Sequence, residues 1–595
     1  MLEGTGIQVF INIDKMTTRV KYLFLLLVTF IFTQPLFSQG TFPLVDKNSS
    51  IQDTAFVTQL YSQALKEISQ QNFPGAQNIL VQLLKADPNH EDARFALIRI
   101  YFAQKQIDNA EFVAKEGIKL NQNKTLFWEA LADIYKETKN YTALLLVFDE
   151  LIRIHPDEIK NYLDKAYTYT LNKDYKDAIK FYNTTEKKFG ANESVYSGRV
   201  AVYLQQGKSK KAIQETNSYL QKNKEQSTAY LMLANLYLNL KDPDNALKVA
   251  DEAESKFPND PYIHLTKADA YKQLNNDNDL IIQLKSAFAN KTLDLDNKIK
   301  ILFNIFRDFE PQKALVIADA LCQVIINTHP QEPNAYAVYG DILLQQNKNE
   351  AALVEFKKAI KLNPDIEIVW ENILQIEVSE AKYWEAQRDG ELALNRFPQN
   401  PTLLLFTGYA FLLDKKYEKA QPFIEDALNN ADPKNSVLML QIYSSLGDLY
   451  NHLGMGSVSN VAYDEALKID SNNTYVLNNY AYYLSERKED LEKAARYSKR
   501  SNELQPGNAS FQDTYAWVLF QQGKYKEALV WITDALESTL EPSAVLLEHH
   551  GDILFKLGKE EEALSTWEDA LRVSLLDGRD SELLKKKIKN KKYEE

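Results

Sequence analysis

A chain of 595 residues, 45% hydrophobic and 25% charged, is too apolar for a disordered tether and too long for one ordinary globule, so it must form several domains or stack repeating units. The formal net charge of −13 is spread over mixed-sign stretches and only 585–592 is strongly basic, which argues against nucleic acid as a partner. The single cysteine, Cys322, excludes internal disulfides and cysteine-based metal clusters, and its setting in Ala320-Leu321-Cys322-Gln323-Val324-Ile325 marks a small core residue.

From Met16 the chain has the layout of a secretory signal. Arg19 and Lys21 precede an apolar run from Tyr22 to Phe32, Pro35 breaks it, and Ser38 offers a small residue for cleavage. Crossing the hydrocarbon layer takes about 20 apolar residues, and Thr33-Gln34 cuts this run short, so removal is expected and the mature form should keep no stable membrane span. The residues before Met16 include Asp14 and Lys15 and carry no targeting logic, so Met16 is the expected start. No cysteine follows for lipid attachment of the bacterial lipoprotein kind. The expected location is periplasmic or outer-membrane-associated in a bacterium. Residues 39–51 read as a linker.

A period of 34 residues then begins. Trp128, Leu131, Ala132, Tyr135, Tyr141, Phe148, Leu151 and Pro156 are answered one period later by Tyr162, Ala166, Tyr169, Tyr175, Ala178 and Tyr182. Tyr196, Tyr203 and Ala212 follow in register, then Tyr230, Ala234, Tyr237 and Ala246. The pattern reappears in Tyr336, Gly340, Ala352, Phe356, Ala359 and Pro364, and runs through Trp370, Ala386 and Ala393 to Gly408, Ala420 and Ala427. Near the carboxyl end stand Leu477, Ala481 and Ala494, then Ala516, Gly523 and Ala528, then Gly551, Ala563, Trp567 and Ala570. Small residues are placed where two backbones approach, large ones where neighbouring pairs must be filled, and prolines such as Pro156 and Pro364 where a helix must stop.

This pattern resembles the tetratricopeptide repeat (TPR) over about residues 52 to 576, close to nine tenths of the chain. The resemblance implies an all-α fold, an α-solenoid of about 14–15 antiparallel helix hairpins wound as a TPR superhelix. The expected organisation is an N-terminal extension and signal peptide (1–38), a linker (39–51), an N-terminal array (52–289), a degenerate helical hairpin or joint (290–332), a C-terminal array (333–576), and a capping helix with a basic tail (577–595).

Three places depart from the template. Leu280 stands where alanine is expected, and Asn290 to Gln331 reads as two helical stretches with Phe303, Phe306, Phe309 and Leu315 out of register. The unit from Gln441 to Asp470 carries Gly454-Met455-Gly456 and Ser459 at the start of its second helix, which predicts a looser hairpin. After a turn expected at Asp577-Gly578-Arg579, the lysine-rich end reads as a polar cap for the last hairpin, with a basic contact to phospholipid or acidic partners as the alternative.

No phosphate loop, His-Glu-x-x-His or Gly-x-Ser-x-Gly motif occurs, and of the seven histidines only His549 and His550 are adjacent. Neighbouring helix positions point apart, so that pair is a poor chelate. The acidic runs Asp149-Glu150 and Glu560-Glu561-Glu562 read as solvated faces. No catalytic, cofactor or metal site is expected, and the chain is not expected to be an enzyme.

The resemblance further implies that the first helix of each hairpin lines a concave face that binds extended or helical peptides. Carried over residue by residue, this face contains Asp448, Tyr475, Asn478, Tyr482, Asp513, Trp517, Phe520, Glu548 and Asp552. An aromatic and acidic surface suits other proteins or peptides with basic and apolar segments. The family's Lys, Asn and Arg clamp for a terminal carboxylate is replaced mostly by Leu, Asp, Ser, Gln and Tyr, which disfavours a chaperone-tail receptor. The expected function is an exported scaffold or adaptor in envelope assembly or secretion. The alternative is a glycan-binding helical protein of a nutrient-uptake system, against which the missing lipid-box cysteine and the lack of long loops stand.

Overall fold

The computed structural model describes residues 51–576 and 581–594. The signal segment, the choice of Met16 as start, the linker up to Ser50 and the Asp577-Gly578-Arg579 turn lie outside the described residues. Within them are 31 helices and no strand. Thirty of these helices form fifteen consecutive antiparallel hairpins, from Ile51–Ser69 with Phe73–Ala86 to Ala544–Lys556 with Glu560–Leu576, and Glu582–Asn590 follows alone. The chain divides into two compact units, one ending at Asp294 and one beginning at Leu295. Each is an α-solenoid of stacked hairpins.

The period is built from local signals. Asn140, Asn400, Asn435 and Asn473 each accept a hydrogen bond from the backbone N–H three residues on, which caps the helix that follows. Pro261, Pro333 and Pro401 open helices, where the missing amide is not needed. Between the two helices of a hairpin one residue turns left-handed: Lys105, Lys139, Lys173, Gly207 and Lys241, successively 34 residues apart, hold φ between 55° and 69°.

Each hairpin is closed by pairing a small residue with a large one. The alanines Ala352, Ala386, Ala420, Ala494, Ala528 and Ala563 are all fully buried where the second helix begins its contact with the first. On the first helix Gly340, Gly447 and Gly551 lie under Phe356, Tyr463 and Trp567, each 16 residues later. A Cβ on Gly551 would sit 2.5 Å from Cδ1 of Trp567, so the glycine is required for the ring to lie across the helix.

The departures from the template are absorbed by packing. Leu280 is buried in a regular hairpin, Pro261–Gln273 with Asp277–Ala289. Residues 290–332 contain one more hairpin, Leu295–Asp308 with an 18-residue second helix, Pro311–Thr328. The looseness expected at Gly454-Met455-Gly456 is not found. The helix Gly456–Ile469 is regular, because the buried Ser459 hydroxyl donates to the Gly447 carbonyl at 2.7 Å and so fits an alanine position without an unpaired polar atom.

Candidate peptide-binding face

First helices of successive hairpins touch one another side by side, as Thr474–Glu486 does Ala509–Gln521 and Ala509–Gln521 does Ala544–Lys556, whereas second helices do not meet to a comparable extent. From Glu367–Ser379 to Ala544–Lys556 the first helices therefore form one continuous wall. The side chains expected to bind peptide sit on four of them, Ser436–His452, Thr474–Glu486, Ala509–Gln521 and Ala544–Lys556, all within the unit that begins at Leu295.

Most of those side chains are committed to neighbouring helices. Asp448 is buried and accepts from the Tyr463 hydroxyl at 2.5 Å and from Nδ2 of Asn479 at 3.4 Å, and burial pushes its carboxyl up to about 6. Asn478, next to Asn479 in sequence, is buried as well. Asp513 faces His549, and Trp517 stacks on the same imidazole with centroids 4.0 Å apart and planes 12° from parallel. The other side of the stack continues to Phe520, 4.7 Å away at 7°, and the indole N–H of Trp517 donates to Oε1 of Glu486 at 2.6 Å.

Asp552 is also buried. It accepts from Nε1 of Trp567 at 2.9 Å and pairs with Lys587 at 2.8 Å. Burial outweighs that ammonium and raises the Asp552 carboxyl to about 6. Glu548 receives the same Lys587 Nζ at 2.7 Å. Tyr475, Tyr482 and Glu548 remain partly exposed. Burial, followed by the charges of Glu486, Asp513 and Glu548, lifts the Tyr482 phenol far above its ordinary range. The structure thus brings the nine residues onto one wall but buries Asp448, Asn478, Asp513, Trp517, Phe520 and Asp552 in the seams between helices. A residue facing the next first helix is covered by it, and residue type alone does not distinguish that from facing the groove.

Four residues absent from the sequence-derived set complete the face. His549 and Glu486 hold Trp517, while Lys587 and Tyr593 come from the basic end of the chain. The helix Glu582–Asn590 takes the place of a next first helix, with Leu584 and Ile588 against the cluster around Trp567 and Ala570. The lysine run was visible in the sequence, but its acidic partners lie 35 and 39 residues earlier, a separation that points to no particular carboxylate.

Other chemistry-bearing groups are tied into the packing. The Cys322 thiol is buried and driven far up in pKa, which makes it a poor nucleophile. Lys357 reaches both Glu377 and Asp389, at 2.6 and 3.0 Å, in a seam between hairpins. Among the described residues no three His, Cys, Asp or Glu are grouped to hold a metal ion, and no helix is long and apolar enough to cross a membrane.

Tetratricopeptide repeat models match residues 67–134 and 203–276, and another tetratricopeptide repeat model matches 333–366. The chain is 22% identical over 340 residues to the human protein O-mannosyl-transferase TMTC3, a match covering 54% of this chain and 36% of that protein, so it spans about a third of that relative's length. It is 24% identical over 411 residues to the bovine BBSome complex member BBS4, covering 69% of this chain and 70% of that one. A crystal structure of a tetratricopeptide repeat protein from Parabacteroides merdae is similar with a TM-score of 0.36 and 18% identity, covering 44% of this chain and 99% of the other.

Proposed function

We propose that this stack of tetratricopeptide hairpins is an exported scaffold that gathers other proteins along its first-helix faces, in envelope assembly or secretion. The observation that carries the reading is the continuous row of touching first helices from Glu367–Ser379 to Ala544–Lys556, an extended surface that exposes side chains from several hairpins at once. At the carboxyl end its rim is acidic and aromatic, with Glu486 exposed and Tyr475, Tyr482 and Glu548 partly buried, which favours partner segments rich in lysine or arginine and apolar side chains. Export is supported by the order of charge, apolar run and small residue from Arg19 to Ser38.

The test is affinity capture by the full chain from bacterial envelope extracts, with the retained proteins identified and their contact points mapped by cross-linking. Cross-links from retained proteins to first-helix residues support the scaffold. Retention of glycans without proteins overturns it in favour of a carbohydrate-binding role.

A further inference from the structure

Beyond the cap, the carboxyl end does something that capping does not require. A cap has to cover the last hairpin, and Leu584 and Ile588 of the helix Glu582–Asn590 already do so. After Asn590 the chain reverses at Lys591, whose φ is 48°, and sends Tyr593 one hairpin further back. Its ring lies 5.7 Å from that of Phe520, on the first helix of the penultimate hairpin, at 56° between planes. Nζ of Lys556 sits 4.1 Å from the centre of the same ring, and Nζ of Lys587 5.4 Å.

The chemistry of this stretch matches what the face should recognise. Lys587 is held by two carboxylates, Glu548 and Asp552, and the aromatic Tyr593 is held by the ring of Phe520 and the cation of Lys556. The two anchors differ in depth. Lys587 is almost fully buried, whereas Tyr593 is only partly buried, and its contacts with the Phe520 ring and the Lys556 cation are of a kind that a competing aromatic side chain can replace. Being tethered, Tyr593 has a high effective concentration at its site, so a free segment of the same chemistry must compete against it.

We propose that the first-helix face around Phe520 and Lys556 is a docking surface for a segment bearing an aromatic residue, and that the chain's own Tyr593 holds this surface closed until such a segment displaces it. The proposal rests on the peptide-binding reading above and adds to it the kind of ligand and the closure.

The experiment uses the full chain and a fluorescein-labelled synthetic peptide of residues 587–595 as probe, followed by anisotropy. Tyr593→Ala is expected to bind the probe at least tenfold more tightly than the parent. Tyr593→Phe, which keeps the ring, should bind as weakly as the parent, and a probe with alanine at the tyrosine should lose at least tenfold on Tyr593→Ala. Equal binding by parent and Tyr593→Ala overturns the closure, while still showing that the array takes peptides. Binding by neither overturns the docking surface itself, and the scaffold reading is then decided separately by the cross-links of the capture experiment. Melting of Tyr593→Ala within a few degrees of the parent shows that the stack is intact in these comparisons.

Discussion

Nδ1 of His549 lies 2.8 Å from Oδ1 of Asp513, joining the first helices of the last two hairpins through side chains that are only 7% and 4% exposed. Burial by itself would lower the imidazole pKa, but the charge and hydrogen bond of Asp513, with Glu486 and Asp552 behind, outweigh it and leave the net value above 6.5. Since the folded-state pKa is the higher one, the stability from this pair is complete below the unfolded value and is lost as pH rises through the folded one. His549→Gln should therefore lower the melting temperature most at a pH below about 6.5 and progressively less above it. A gap between parent and variant that does not narrow with rising pH contradicts this account.

Asp448 carries the opposite lesson. Its buried carboxyl, faced by Tyr463, Asn479 and Tyr483, has a pKa raised from 3.8 to about 6, so the ionised form is disfavoured in the fold. Relative to a neutral side chain, the parent loses stability as pH climbs from 3.8 through about 6. Asp448→Asn keeps an acceptor for the Tyr463 hydroxyl and should match the parent near the lower pH. By neutral pH it should exceed the parent by on the order of 1–3 kcal/mol. Denaturant titrations at both pH values read the difference, and a variant that is the weaker at neutral pH sinks the argument.

Gly551→Ala tests the close approach within a hairpin. The added Cβ would meet the Trp567 ring at 2.5 Å, and both groups are buried, so the ring or the helix must shift. A loss of about 1–3 kcal/mol is expected, as for overpacked cores. Tryptophan fluorescence during unfolding should report it, and an unchanged midpoint would show that the second helix has room to move.

Trp517→Ala is expected to act on stability before it acts on binding. The indole is buried between His549 and Phe520 and donates to Glu486, and removing a buried aromatic costs about 3–5 kcal/mol. In a stack of repeats the damage should stay local. Hydrogen exchange is expected to quicken in residues 509–576 while hairpins up to Asp294 keep their protection. Uniform protection in the variant would mean that the ring contributes little to joining these hairpins, and Trp517 would then be open to a direct role in binding.

The sequence by itself determined the repeating unit. Helix capping by Asn140, termination near Pro156 and the Gly551–Trp567 pairing all act within 16 residues, so the 34-residue spacing carries them openly and the hairpins could be counted in advance. Tertiary structure alone decided which polar residues face a groove and which face the next helix. Contacts such as Asn479 with Asp448, Trp517 with Glu486 and His549 with Asp513 span 31 to 36 residues and depend on how each first helix lies against its neighbour. That angle follows from the summed packing of two whole hairpins and not from any one residue, which is why six of the nine expected contact residues proved to be buried. The course of the chain after Asn590 belongs to the same category, because a single left-handed residue, Lys591, redirects Tyr593 from the cap to Phe520.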